Sequence, residues 1–142
     1  MGRNISLTPN ELEIMEVMWE AGHPISRTEI IDMSPDRSWK TSSIHILLNK
    51  MLEKQVIKVD GFVRTGKNYG RTYSPDITKS EYLLLPIKQN IFYKQSRDEA
   101  IIAVFAALLE DEAVDEELIE EVRKMIQERR RELREEAERK GE

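Results

Sequence analysis

Four segments of the form Ser/Thr-x-x-Glu punctuate this chain, and each marks a place where a helix can begin. They are Thr8-Pro9-Asn10-Glu11, Ser26-Arg27-Thr28-Glu29, Thr78-Lys79-Ser80-Glu81 and Ser96-Arg97-Asp98-Glu99. In such a capping box the hydroxyl accepts from an otherwise orphaned helical amide, while the glutamate reaches back to the amide of the cap. Pro9 stands at the first helical position, where its missing donor costs nothing. Leu7 with Leu12, and Ile25 with Ile30, sit where a hydrophobic staple closes. The chain is thereby divided into helices before any periodicity is counted.

Leu12, Met15 and Trp19 are spaced as the buried face of a first helix, which Ala21-Gly22-His23-Pro24 ends. The second helix is short and bounded by Pro35. Two helices joined by a Gly/Pro turn open a helix-turn-helix unit. A third helix is expected from about Thr41 to Lys54, with Ile44, Leu47, Leu48 and Met51 as its core stripe. At 100° per residue the opposite direction holds Ser42, Ile46, Asn49 and Glu53, flanked by Ser43, His45 and Lys50. Small hydroxyls let a helix approach base edges closely. Ile46 is apolar on a polar face, which fits contact with a thymine methyl or packing on a neighbouring element; Asn49 could read adenine. His45 fits either the same surface or plain solvent exposure, and Trp39 fits packing that fixes the start of the helix.

A hairpin follows. Ile57-Lys58-Val59 starts a strand that Phe62-Val63 continues past Gly61, through a bulge. Thr65 to Gly70 supplies the turn and Arg71-Thr72-Tyr73-Ser74 returns, with Arg64, Lys67 and Arg71 gathered around it. Three helices and such a hairpin make a winged helix, whose third helix enters the major groove while the wing holds the backbone or an adjacent minor groove.

Charge supports that division. Arg37 to Arg71 carries eight Lys/Arg against two Asp/Glu, a net of +6, whereas Glu11 to Asp36 carries one against seven, a net of −6. An acidic chain of net charge −5 has gathered its cations on one helix and one hairpin, which makes a local phosphate-binding surface. The expected interface is Lys40, Thr41, Ser42, Ser43, His45, Ile46, Asn49 and Lys50 on the helix, with Arg64, Lys67 and Arg71 on the wing.

Beyond residue 78 the chain turns acidic and strongly apolar by turns. Tyr82-Leu83-Leu84-Leu85 precedes Pro86, which should kink or break its helix. The next helix is apolar around most of its circumference, through Ile101, Ile102, Val104, Phe105, Leu108 and Leu109. A last one, roughly Asp115 to Lys140, carries Leu118, Ile119, Val122, Met125, Ile126 and Leu133, then a charged extension to Glu142 that can fray. Three such helices cannot bury their own surface well, and pairing two copies solves that, so Leu83, Leu84, Ile101, Phe105, Leu108, Leu118, Val122, Met125 and Ile126 are expected to dimerise. Packing of this half on its own winged helix is the other solution. The expectation is a mainly α chain with a small β wing: a winged helix-turn-helix over 1–77, then a three-helix dimerisation domain over 78–142.

Other function classes find no support. With no cysteine there is no disulfide and no thiolate metal site, and His23 and His45 lack the spacing of a helical metal pair. No phosphate loop, nucleophile elbow or HExxH occurs, so neither an enzyme nor a cofactor is expected. No apolar run approaches the ~20 residues that span a bilayer, and the first ten residues have no apolar signal region, which makes the cytoplasm the default.

Taken together, the chain resembles the penicillinase and methicillin-resistance repressor family (the BlaI/MecI type) of bacterial transcription regulators. The likeness rests on Leu12-Glu13-Ile14-Met15-Glu16-Val17-Met18-Trp19, Trp39, the run Ile44 to Ile57, Tyr73-Ser74-Pro75 and Glu117-Leu118-Ile119-Glu120-Glu121-Val122. It implies a homodimeric repressor on a palindromic operator, with base-contacting positions at Ser42, Ser43 and Ile46. Ser42-Ser43 replaces the Lys-Thr frequent in relatives, which implies a different operator preference. The Asn-Phe bond at which better-known members are cleaved corresponds to Ala107-Leu108, and the cysteine cluster of copper-responsive relatives is missing. Release could then come from a small ligand, a partner protein or a different protease. The wing is also a few residues longer. A winged helix used as a protein-docking module, its basic wing on an acidic partner, is the alternative to the repressor.

Overall fold

The computed structural model describes residues 5–141; Glu142, the end of the expected charged extension, lies outside them, as do the first four residues of the segment read for a leader. The chain divides into two compact units, Met1–Asn90 and Ile91–Glu142.

In the first unit α1 (Pro9–Ala21) and α2 (Arg27–Asp32) both open on complete capping boxes. The Thr8 amide donates to Glu11 Oε1 at 2.8 Å and the Glu11 amide to Thr8 Oγ1 at 3.2 Å. Ser26 and Glu29 repeat the exchange, with 3.2 Å each way. Gly22, at φ +70°, ends α1 in the left-handed conformation that favours glycine.

The expected third helix starts as a 3₁₀ turn (Thr41–Ser43) and becomes α3 only at Ile44–Glu53. It ends in a Schellman motif, with the Gln55 amide on the Leu52 carbonyl (3.0 Å) and the Val56 amide on that of Met51 (3.2 Å). Gln55 takes the left-handed position at φ +60°. Buried Val56 and Met51 supply the apolar contact that accompanies this motif.

The wing is β2 (Ile57–Thr65) and β3 (Asn68–Pro75), and it is not a lone hairpin. A two-residue strand, β1 (Ile25–Ser26), joins the edge of β3, giving the antiparallel order β1-β3-β2. The same Ile25-Ser26 that staples and caps α2 thus also ties the sheet to the helices, which a capping pattern does not foretell. The bulge expected at Gly61 is present: the register shifts between Val59 and Phe62, and Gly61 has φ +107°. Thr72 Oγ1 donates to the Asp60 carbonyl at 2.7 Å across it. The turn is tighter than the six residues expected, because Thr65 pairs with Asn68 and leaves only Gly66-Lys67 between them. Gly66, at φ +66°, takes the first central position, where such two-residue turns favour glycine.

One core serves this unit: Ile14, Met15 and Met18 of α1, Ile25, Ile30, Trp39, Ile44, Leu48, Met51, Val56, Ile57, Tyr73 and Ile77. The α1 stripe is rotated from expectation. Its buried side is Glu11, Ile14, Met15 and Met18, and Leu12 and Trp19 are only half-buried. Trp19 faces α4 (Lys79–Gln89), its ring 6.0 Å from that of Tyr82 and its Nε1 donating to the Ile77 carbonyl at 2.9 Å. Tyr82 and Leu85 pack on the core, so this compact unit runs past residue 77 through α4. Pro86 does not end α4; the turn before it is held by that packing, and the helix stops at Asn90, where ψ is 134°.

The second unit contains α5 (Ile91–Gln95), α6 (Arg97–Leu109) and α7 (Glu116–Gly141). Among the described residues four helices, α4 to α7, therefore follow residue 78, since the stretch between Pro86 and Ser96 makes a short helix of its own. The fourth capping box does not form. Ser96 has φ −138° and ψ 63°, its side chain caps nothing, and its amide donates to the Phe92 carbonyl at 2.8 Å, as α5 leads directly into α6. The charged end of α7 is continuous helix, laced by Arg129–Glu132 (3.2 Å) and Arg131–Glu135 (2.6 Å) and by Arg131 with Glu128.

Candidate nucleic-acid interface

The start of α3 is held from behind. Arg37 donates to the Ser34 carbonyl (3.1 Å) and to Thr41 Oγ1 (2.7 Å), and its guanidinium lies 5.3 Å from the centre of the buried Trp39 ring. Glu13 Oε1 accepts from the Ser38 amide at 3.2 Å. The loop before α3 is thereby fixed to α1 and to its own turn. Trp39 packs there, as its buried position requires, with Nε1 unpaired.

Of the expected helix residues, Lys40, Thr41, Ser42, His45, Ile46, Asn49 and Lys50 are exposed, and Ser43 is half-buried. Ile46 is 59% exposed, so it is not the packing residue that its apolar side chain allowed. The hydroxyl of Thr41 is occupied by Arg37, which leaves Ser42 as the more open hydroxyl of the pair.

On the wing, Arg64 is opposite Tyr69 and Phe62 opposite Arg71. Directly opposed residues share a sheet face, so these four alternate as aromatic and cation on one side of the ribbon. Tyr73, two residues from Arg71 on that same face, is buried in the core. The face therefore continues outward from the helices. Phe62 and Tyr69 are 69% and 73% exposed. Lys67 sits in the turn, and Arg64 Nε donates to the Gly66 carbonyl at 3.2 Å.

Between α3 and the wing lies a cleft of about 370 Å³. His45 and Asn49 line it from α3, Tyr69 and Arg71 from the wing, and Arg27 and Thr28 from the start of α2. Arg27 Nη1 contacts both ring nitrogens of His45, at 3.3 Å from Nδ1 and closer to Nε2. Neither the charge count nor the helical faces single out Arg27, Thr28 and Tyr69. One signal exists in the sequence: Arg27 is the only Lys or Arg between Glu11 and Asp36.

Not every cation of the basic stretch is available. Lys54 turns inward, donating to Glu11 Oε1 (2.6 Å) and the Ser6 carbonyl (2.7 Å). Burial alone would raise the Glu11 carboxyl, but the hydrogen bond from Lys54, with those from Thr8, overcomes that and holds it below 4.5. Glu11 is a structural acid.

Among the described residues no group of three His, Asp or Glu is arranged to hold a metal, and no helix is long and apolar enough to cross a membrane. The surface presents cations, hydroxyls, the amides of Asn49 and Asn68, the rings of Phe62 and Tyr69, and the bare aliphatic side chain of Ile46. That chemistry suits a polyanion with methyl groups and hydrogen-bonding edges.

A family model described as "Penicillinase repressor" matches residues 7–128. An uncharacterised 16.5 kDa protein in the ptsI 3′ region of Latilactobacillus sakei is 32% identical over 75 residues, 53% of this chain and 47% of that protein. The chain thus spans about half the length of the curated relative that it matches. The solution structure of monomeric Bacillus licheniformis BlaI in complex with the blaP half-operator is similar at 25% identity, covering 58% of this chain and 94% of that one, with a TM-score of 0.42.

Proposed function

The chain belongs to the penicillinase repressor family, and on that premise we propose that this DNA-binding repressor acts as a homodimer on a palindromic operator. The observation that carries the reading is the outer side of α3. Ser42, Ile46 and Asn49 stand exposed on one winged-helix surface, beside a cleft whose far wall is the arginine-bearing wing. In this reading α3 lies in the major groove, with Ile46 on a thymine methyl and Ser42 and Asn49 on base edges. Cations drawn from Lys40, Lys50, Arg64, Lys67 and Arg71, about three or four per subunit, hold phosphates and fix the register.

The homodimer is supported by apolar surface that the second unit leaves uncovered. Phe105, Leu108 and Leu109 of α6 and Leu118, Ile119 and Val122 of α7 line an apolar groove of about 310 Å³. Ile101, Met125 and Ile126 are exposed on the same helices, as are Leu83 and Leu84 on α4. A second copy would cover such faces and set two α3 helices about 34–36 Å apart, one DNA turn.

Selection of bound duplexes from a random library, followed by titration of the winner at about 50 and 200 mM salt, tests this. The expected result is a palindromic consensus bound by two chains, with a log–log salt slope near −6, from about 6–8 neutralised phosphates per dimer. Weak binding without a consensus overturns it and leaves a docking module with a generic cation patch.

A further inference from the structure

We infer that the cleft between α3 and the wing seats one backbone phosphate of the bound DNA strand, and that Arg27 of α2 is its principal ligand. The inference rests on the repressor reading above and adds to it a residue from outside the basic stretch.

Three elements converge on this cleft, each bringing a group that suits a phosphodiester. Arg27 comes from α2, His45 and Asn49 from α3, and Tyr69 and Arg71 from β3. Arg27 and Arg71 are both exposed, so either can turn to an incoming anion without unfolding anything. A planar guanidinium offers paired donors that match phosphate oxygens.

The Arg27–His45 contact joins the start of α2 to α3 at this cleft. Arg27 brings positive charge to the mouth of the cleft, beside His45 of α3. Without Arg27 the only cation among these five side chains would be Arg71, on the wing, and the α3 side of the cleft would have none. A lone cation in an otherwise acidic segment thus stands at the cleft beside α3.

The test is a cycle between the protein charge and the phosphate charge. Each phosphate of the selected operator half-site is replaced in turn by an uncharged methylphosphonate, and affinities are measured for the wild-type chain, Arg27→Gln and Arg27→Lys. Neutralising one phosphate that the protein holds should make the salt slope about 0.9 shallower, or nearly 2 for a symmetric dimer. At one phosphate per half-site the wild type should lose affinity about tenfold, and Arg27→Gln should be indifferent to that same replacement. Arg27→Lys should restore the sensitivity in part. If Arg27→Gln and the methylphosphonate losses add independently at every phosphate, the proposed site is wrong while the repressor reading stands. If the wild type selects no duplex, both fall. Because Arg27 is exposed and outside the core, an unchanged melting curve for the variants shows that binding alone was altered.

Discussion

The two compact units of this protein handle apolar side chains in opposite ways. In the first, thirteen large hydrophobic residues from α1, β1, α2, the loop before α3, α3, the sheet and the segment leading to α4 meet in one core. In the second, Ala100 is the one residue in the buried class among the described ones, although α6 alone carries Ile101, Ile102, Phe105, Leu108 and Leu109. Composition does not explain the contrast, since both stretches are rich in aliphatic residues. Arrangement does. The first unit has a sheet and helices whose apolar sides face one another, so each covers the next. The second has an all-round apolar α6 between a five-residue α5 and a long α7 with one narrow stripe, and one stripe cannot cover a cylinder. One unit buries much of its apolar side-chain content, and the other leaves nearly all of its own exposed.

The largest expected effect comes from attacking the unfinished unit. Phe105→Glu combined with Met125→Glu should abolish self-association, read by sedimentation equilibrium. Loss of the second binding element should weaken operator affinity by about 10²–10⁴-fold. The thermal transition of the winged unit should not move. A dimer that survives both charges would remove the basis for the contrast.

Next is Leu48→Ala, which opens the finished core. It should cost the winged unit about 2–5 kcal/mol in a denaturant melt and leave the association constant unchanged. A coupled loss of dimer would mean that the two units are one cooperative body.

Glu11 and Lys54 probe the same core electrostatically. The Glu11 carboxyl lies below 4.5 in the fold, so its contribution is fully present above that value and disappears as pH falls through the lower, folded one. Glu11→Gln should therefore flatten the acid limb of the stability curve. Lys54→Met removes the hydrogen bond that lowers it most, so the carboxyl should rise while the Thr8 bonds remain, and the stability gained between acid and neutral pH should shrink.

The smallest effects separate contacts within the proposed interface. Ile46→Ala should cost about 1 kcal/mol and relax discrimination at a single base pair. Lys67→Ala should weaken binding to all sequences alike and reduce the salt slope by about 1 per subunit. If Lys67→Ala instead changed sequence preference, the division of labour between helix and wing would be reversed.

Much of this fold is legible in local sequence, for a physical reason. Capping boxes involve residues three apart, a bulge needs its glycine at the kink, and an amphipathic stripe needs only its own period. Such signals account for α1 and α2, the core stripe of α3, the bulge at Gly61 and the exposure of Ser42, Ile46 and Asn49. Where local signals fail, a neighbour overrides them. Ser96 has the residues of a cap, but α5 runs into α6 and supplies the Ser96 amide with the Phe92 carbonyl. Pro86 has the residue of a break, but Tyr82 and Leu85 are pinned to the core.

The class of molecule needs no tertiary information: a winged helix with its cations gathered on one stretch, followed by helices that carry many apolar side chains. Which of those cations face outward is a matter of packing between elements. Lys54 is drawn in to a buried carboxylate 43 positions away, and Arg27, 18 positions before His45, is brought beside it at the cleft. Such pairings depend on how helices cross and where a two-residue strand docks, and no local periodicity encodes a distance between elements.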